Sequence, residues 1–114
     1  LIRNYQKIPS FDSIPGADHA IIRPEFVSVT KKNEIQKYKS SAVEGTVEKV
    51  LFKGDNMELT IRICDTIITA KRGLQEEPIH GEKVDVFVYR LFVTAGEKAY
   101  QLENNSLKED SMVI

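Results

Sequence analysis

Side chains able to do chemistry are few in this chain, and their spacing argues against each reaction in turn. The two histidines, His19 and His80, stand far apart, and neither belongs to an HxH or HExxH arrangement that would put two imidazoles on one zinc ion. Cys64 is the single cysteine, so no internal disulfide or thiolate cage can form. With no histidine beside it in sequence to lower its pKa, it reads as an unreactive thiol. Glu76-Glu77 and Glu109-Asp110 are paired carboxylates, but they fall in loop and tail sequence, where solvated charge is the expectation rather than acid–base work. Gly54, Gly73, Gly81 and Gly96 are isolated, and there is no GxxxxGKS or GxxxxGKT segment, so no glycine-rich loop wraps a triphosphate. No catalytic, cofactor-binding or metal-ligating set is assigned, and no enzymatic activity is expected of these residues.

The elements that would position any site come from one domain's worth of chain, 114 residues with 16 basic against 17 acidic side chains. Because the signs are interspersed, no single-sign field draws in nucleic acid or an anionic lipid surface. The longest apolar runs, such as Val50-Leu51-Phe52, are far shorter than the roughly 20 residues that cross a bilayer as a helix. Absence of a disulfide framework and of a signal-like segment makes the soluble cytosolic side the expected location. The chain opens at Leu1 in polar, irregular sequence and reads either as a piece of something longer or as a protein stripped of a leader or tag.

Residues 1–18 carry Pro9, Pro15 and Gly16 and are expected to be a lead-in or linker whose Ile and Phe side chains dock on a core. Ala20-Ile21-Ile22 and Val27-Ser28-Val29-Thr30 read as short strands separated by Pro24. Residues 31–40, with Lys31, Lys32, Lys37 and Lys39, read as a solvated connection. Val43, Gly45 and Val47 share one parity, whereas Val50 and Phe52 take the other, so a bulge or bend is expected around Glu48-Lys49. Gly45 fits the close backbone approach of a sheet that curls.

Lys53-Gly54-Asp55-Asn56 supplies a turn, and the second arm alternates cleanly, with Met57, Leu59, Ile61 and Ile63 on one face and Glu58, Thr60, Arg62 and Cys64 on the other. A Cys64-Asp65 turn, a strand over 66–71, a loop over 73–81 and a strand over 83–89 follow. Gly96-Glu97-Lys98 turns into a last strand over 99–102, ahead of a polar tail. Leu91 to Val93 and residues 74–77 are expected to form a turn of helix at most. The fold class is therefore mainly β, a small OB-like antiparallel barrel over residues 19–103 with short lead-in strands and a polar tail over 104–114. Such a barrel binds single-stranded nucleic acid through aromatic platforms in a basic groove. Phe52, Phe87, Tyr89 and Phe92 are present, but the strands carry as many acids as bases, so core packing is the expectation for the rings and nucleic acid is disfavoured.

Ile21-Ile22-Arg23-Pro24-Glu25 resembles the segment that opens the accessory domain behind many ABC importer ATPase subunits. The rest follows in order. Val43-Glu44-Gly45-Thr46-Val47-Glu48 is similar to that family's v-G-x-V strand, residues 57–63 to its l-x-v-x-l partner, and Gly81-Glu82-Lys83-Val84 to its turn and strand. Over residues 20–102 the chain thus resembles the TOBE domain, the transport-associated OB-type barrel of importers of sugars, polyamines, ferric iron and oxyanions.

The resemblance implies a C-terminal regulatory and subunit-contact domain of the ATP-hydrolysing subunit, cytoplasmic and peripheral at the inner face of the cell membrane. It implies a second copy of the subunit as homodimer partner, membrane subunits reached through the parent chain, and a regulatory protein or small ligand as further partners. No cofactor is implied here, since ATP and Mg belong to an upstream domain. Arg23, Pro24, Glu25, Gly45 and Gly81 are the structural or interface residues the resemblance singles out, with Pro24 holding Arg23 extended so that its guanidinium can pair a carboxylate. Molybdate-type members carry a SARN-x-x-x-G-x-V stretch that holds the anion. Ser40-Ser41-Ala42-Val43-Glu44-Gly45-Thr46-Val47 keeps a serine and the G-x-V, lacks the Arg and Asn, and places Glu44 where it would repel an anion. Ser41 remains as a ligand candidate in a small-ligand sensor reading.

Overall fold

The computed structural model describes residues 2–3, 8, 11–12, 14–17, 19–34, 36, 38, 41–63, 66–73 and 77–107. Expectations placed on Pro9, Asp18, Lys37, Lys39, Ser40, Cys64, Asp65, residues 74–76 and the tail beyond 107 lie outside these. Among the described residues, nine strands make two antiparallel sheets. The first sheet has the order β1-β2-β8-β9, with β1 Ile2–Arg3, β2 His19–Ile21, β8 Arg90–Ala95 and β9 Lys98–Glu103. The second has the order β3-β7-β4-β5-β6, with β3 Val27–Lys31, β4 Val43–Phe52, β5 Met57–Ile63, β6 Thr66–Arg72 and β7 Lys83–Val88. The mainly β, OB-like expectation holds: the second sheet is a curled half-barrel.

Curling follows from β4. Val47 pairs with Ile61 and Lys49 with Thr60, so Glu48 is the extra residue of a bulge and the inward parity shifts across it, as the sequence pattern required. Gly45 is the other device. A Cβ placed there would come within 2.6 Å of Ile61 Cγ2 and 3.0 Å of both Ile63 Cγ2 and Val86 Cγ2. The missing side chain lets neighbouring strands close over one interior. Met57, Leu59, Ile61 and Ile63 of β5 are buried in it beside Val84, Val86 and Val88 of β7 and Val27 and Val29 of β3. Ile8 joins the same cluster, and Phe11 and Ile14 pack against it, so the segment ahead of β2 covers part of the core.

Three local readings are corrected. Leu91 to Val93 lie within β8 and not in a turn of helix: all three pair with β9, and Phe92 and Val93 pair with β2 as well. Lys31 is the last residue of β3 and is buried, not part of a solvated loop. Phe52 leaves the core and is 56% exposed at the end of β4, whereas Phe87 is fully buried.

Candidate functional site

Arg23, Pro24 and Glu25 form the corner between the sheets. Arg23 is extended (φ −89°, ψ 142°), Pro24 opens a 3-10 turn over Pro24–Phe26, and Phe26 N–H donates to the Arg23 carbonyl at 3.0 Å. The freed guanidinium folds onto Glu25, with Nε donating to Oε1 at 2.6 Å, and both side chains stay exposed. That hydrogen bond, first among the causes, holds the Glu25 carboxyl below the usual carboxylate range. Behind the turn the Phe26 ring meets Phe92 of β8 at 6.2 Å, and the Arg90 guanidinium lies over Phe26 at 4.9 Å. The Phe26 carbonyl accepts from Tyr89 N–H at 2.8 Å, the point where the chain crosses from β7 to β8.

Gly45 and Gly81 both act on β4. Gly81 takes a positive φ of 86°, and its N–H donates to the Val47 carbonyl at 2.7 Å while Val47 N–H donates to the Glu82 carbonyl at 2.9 Å. The turn before β7 is thereby fastened beside the bulge, and His80, exposed, lies 4.0 Å from Glu48 Oε2. Ser41 is buried and its hydroxyl is hydrogen-bonded to that of Ser106. Its side chain serves a contact between the β3–β4 connection and the segment after β9.

Sequence reasoning missed the groups that cover the outer face of β7. Tyr38 stacks on Phe87 with centroids 4.6 Å apart, and Tyr89 meets Phe87 edge-on at 4.9 Å. Lys32 Nζ reaches Asp85 Oδ1 at 2.6 Å and Glu44 Oε2 at 3.2 Å. The Asp85 hydrogen bond, first among the causes, raises the Lys32 ammonium above its usual range, with Glu44 adding to it. Phe87 is thus buried against Tyr38 and Tyr89, so its own ring is not a stacking platform for a single strand. Buried Arg72 and Asn104 were also missed. Arg72 continues the inward parity of Ile68 and Ala70, which was the available signal; Asn104, in polar sequence, gave none. Among the described residues no three His, Cys, Asp or Glu side chains gather where a metal ion could be held.

A family model described as TOBE domain matches residues 20–88, more than half of the chain, from β2 to the end of β7. Comparison with curated proteins and with solved structures returned no match.

Proposed function

We propose, from the premise that this chain belongs to the TOBE domain family, that it is the regulatory and subunit-contact barrel of the ATP-hydrolysing subunit of an ABC importer. The family match over the barrel strands is the observation that carries this reading. The barrel does no chemistry of its own; ATP and Mg would be bound by a separate domain of the parent subunit. Its part is to hold surfaces in place, and the Arg23-Pro24-Glu25 corner and the Gly81 turn, each closed by hydrogen bonds, are suited to that. The partners in this reading are a second copy of the subunit, the membrane subunits through the parent chain, and a regulatory protein or small ligand that adjusts ATP hydrolysis. The location is the cytoplasmic face of the membrane. Which solute is imported belongs to other subunits.

Deleting residues 19–103 from the full-length subunit tests it. ATP binding should persist while the coupling of hydrolysis to transport changes. A transporter whose coupling is unaltered by the deletion would remove the proposal. Ser41, buried against Ser106, favours contact over capture of an oxyanion, and thermal shift across sugars, polyamines, ferric complexes and oxyanions separates the two, since a ligand that prefers the folded state raises the melting temperature.

A further inference from the structure

We infer that the outer edge of β9 (Lys98–Glu103) is an interface at which a second copy of this chain adds its own β9 antiparallel, fusing the two four-stranded sheets into one. This rests on the subunit-contact reading and names its partner and its strand. β9 ends its sheet, and among the described residues nothing pairs with its outer side. Residues 98–101 are exposed, and Leu102 and Glu103 are half-buried. Proteins usually blunt such an edge with proline, a bulge or charge. Here the strand is proline-free, runs in unbroken register with β8, and carries its one lysine at the start. The other sheet's edges, β3 and β6, are tied to each other by Arg72, and among the described residues β1 covers Ile2–Arg3 alone, which makes β9 the longer open template.

Backbone geometry selects the register. The β8–β9 turn is Gly96-Glu97, closed by Ala95 paired with Lys98. The closing pair of a two-residue hairpin exchanges both backbone hydrogen bonds, and the pattern alternates along the strand. The backbones of Lys98, Tyr100 and Leu102 are therefore engaged by β8, while the N–H and C=O of Ala99, Gln101 and Glu103 point to the open side. A two-fold axis at Gln101 gives every one of these groups a partner, pairing Gln101 with Gln101 of the second copy and Ala99 with its Glu103. Tyr100 then lies opposite Leu102 of the second copy on one face, an apolar cross-strand pair, and no like charges oppose. Moving the axis to Tyr100 would set Glu103 against Glu97 and leave outward groups unmatched. The β8–β9 hairpin lies outside the residues the family model matches.

Sedimentation of the whole chain over a concentration series, beside Gln101→Pro and, in a Cys64→Ser background, Gln101→Cys and Lys71→Cys, tests the pairing. Proline at 101 removes an outward N–H and none of the bonds to β8, so the melting temperature taken at concentrations too low for dimerisation should hold while dimerisation weakens about tenfold or more. Direct opposition puts the two Cα atoms of residue 101 roughly 5.5 Å apart, within disulfide reach, so Gln101→Cys should cross-link copy to copy and Lys71→Cys should not. A chain that stays monomeric into the high micromolar range overturns the pairing. So does a dimer that Gln101→Pro leaves intact and Gln101→Cys fails to trap, although the subunit-contact reading then survives, because only the deletion test in the transporter can end it. If Gln101→Pro fails to fold, the cysteine pair decides.

Discussion

Arg72, at the end of β6, grips Glu34, just beyond β3, with both arms of its guanidinium: Nη1 to Oε1 at 2.8 Å and Nη2 to Oε2 at 2.6 Å. The same Nη1 donates to the Val29 carbonyl of β3 at 2.9 Å, and Glu34 Oε1 accepts from Lys31 N–H at 2.8 Å. β3 and β6 are the two edges of the curled sheet and share no ladder, so this side-chain clasp stands where the missing strand pairing of a closed barrel would be. The Arg72 side chain is 1% exposed and that of Glu34 26%, which makes the pair a partly desolvated one with every reason to be bidentate.

Removing one partner should therefore cost more than removing both. Glu34→Gln leaves a cation buried and is expected to destabilise by about 3 kcal/mol; Arg72→Met should cost less, because the carboxylate it strands is more exposed. The Arg72→Met, Glu34→Leu double variant should recover much of the loss. Urea denaturation of the four proteins closes the cycle, and additive losses would show that the pair does not act as a unit.

The clasp also sets an acid limit. Arg72 hydrogen bonds, first among the causes, hold the Glu34 carboxyl below the ordinary glutamate range; burial pushes the other way, and the Lys31 N–H assists Arg72. A carboxyl that is more acidic folded than unfolded contributes stability fully above its unfolded pKa of about 4.3 and loses it as pH falls through the folded value. Stability measured from pH 6 downward should fall below about pH 4.3, and Glu34→Gln should make that fall shallower. An unchanged acid slope in the variant would remove Glu34 from the account. Glu25 is shifted the same way by Arg23 but is open to solvent, where screening leaves it little influence.

Gly45→Ala puts a methyl group 2.6 Å from Ile61 Cγ2, with Ile63 and Val86 closing the other sides at 3.0 Å. Overpacking of this kind is expected to cost about 1–3 kcal/mol. Ile61→Leu, which removes the β-branch bearing Cγ2, should return part of it. Thermal unfolding of the single and double variants checks this, and a neutral Gly45→Ala would mean that the strands separate more easily than the packing indicates.

Where an element's pattern is local, it was legible before any coordinates. The strict alternation of residues 57–63 became β5, and the parity switch at Glu48-Lys49 became the bulge. The Arg23-Pro24 restriction likewise became an extended residue before a tight turn, with the guanidinium on Glu25. β8 failed because Leu91-Phe92-Val93 is a short continuous apolar run, which periodicity cannot assign. Lys31 and Arg72 escaped notice for another reason: charge argues for solvent, and only carboxylates distant in sequence, Glu82 for Lys31 and Glu34 for Arg72, override it. Ser41 stood as a ligand candidate through its likeness to the molybdate-type serine stretch, and its partner, Ser106, lies too far along the chain to have given a local signal.

Asn104 is the sharpest such case, a polar residue in polar sequence that ends fully buried. Its Nδ2 donates to the Val88 carbonyl at 3.0 Å, its Oδ1 accepts from Ser106 N–H at 2.9 Å, and its own N–H donates to the Tyr89 carbonyl at 2.9 Å. Val88 and Tyr89 are where the chain leaves one sheet for the other, so this one side chain pins the crossover to the segment that follows β9. Asn104→Ala leaves a buried carbonyl and a part-buried N–H without their partners and opens a small void, and it should cost about 2 kcal/mol. Asn104→Asp keeps the acceptor for Ser106 but sets a buried anion against the Val88 carbonyl, and should be worse than alanine. Hydrogen exchange at Tyr89 and Ser106 would show where the damage falls: faster exchange at both, ahead of the amides of β5, is the expected pattern. Equal acceleration throughout the barrel would instead place Asn104 within the cooperative core and not at a local clasp.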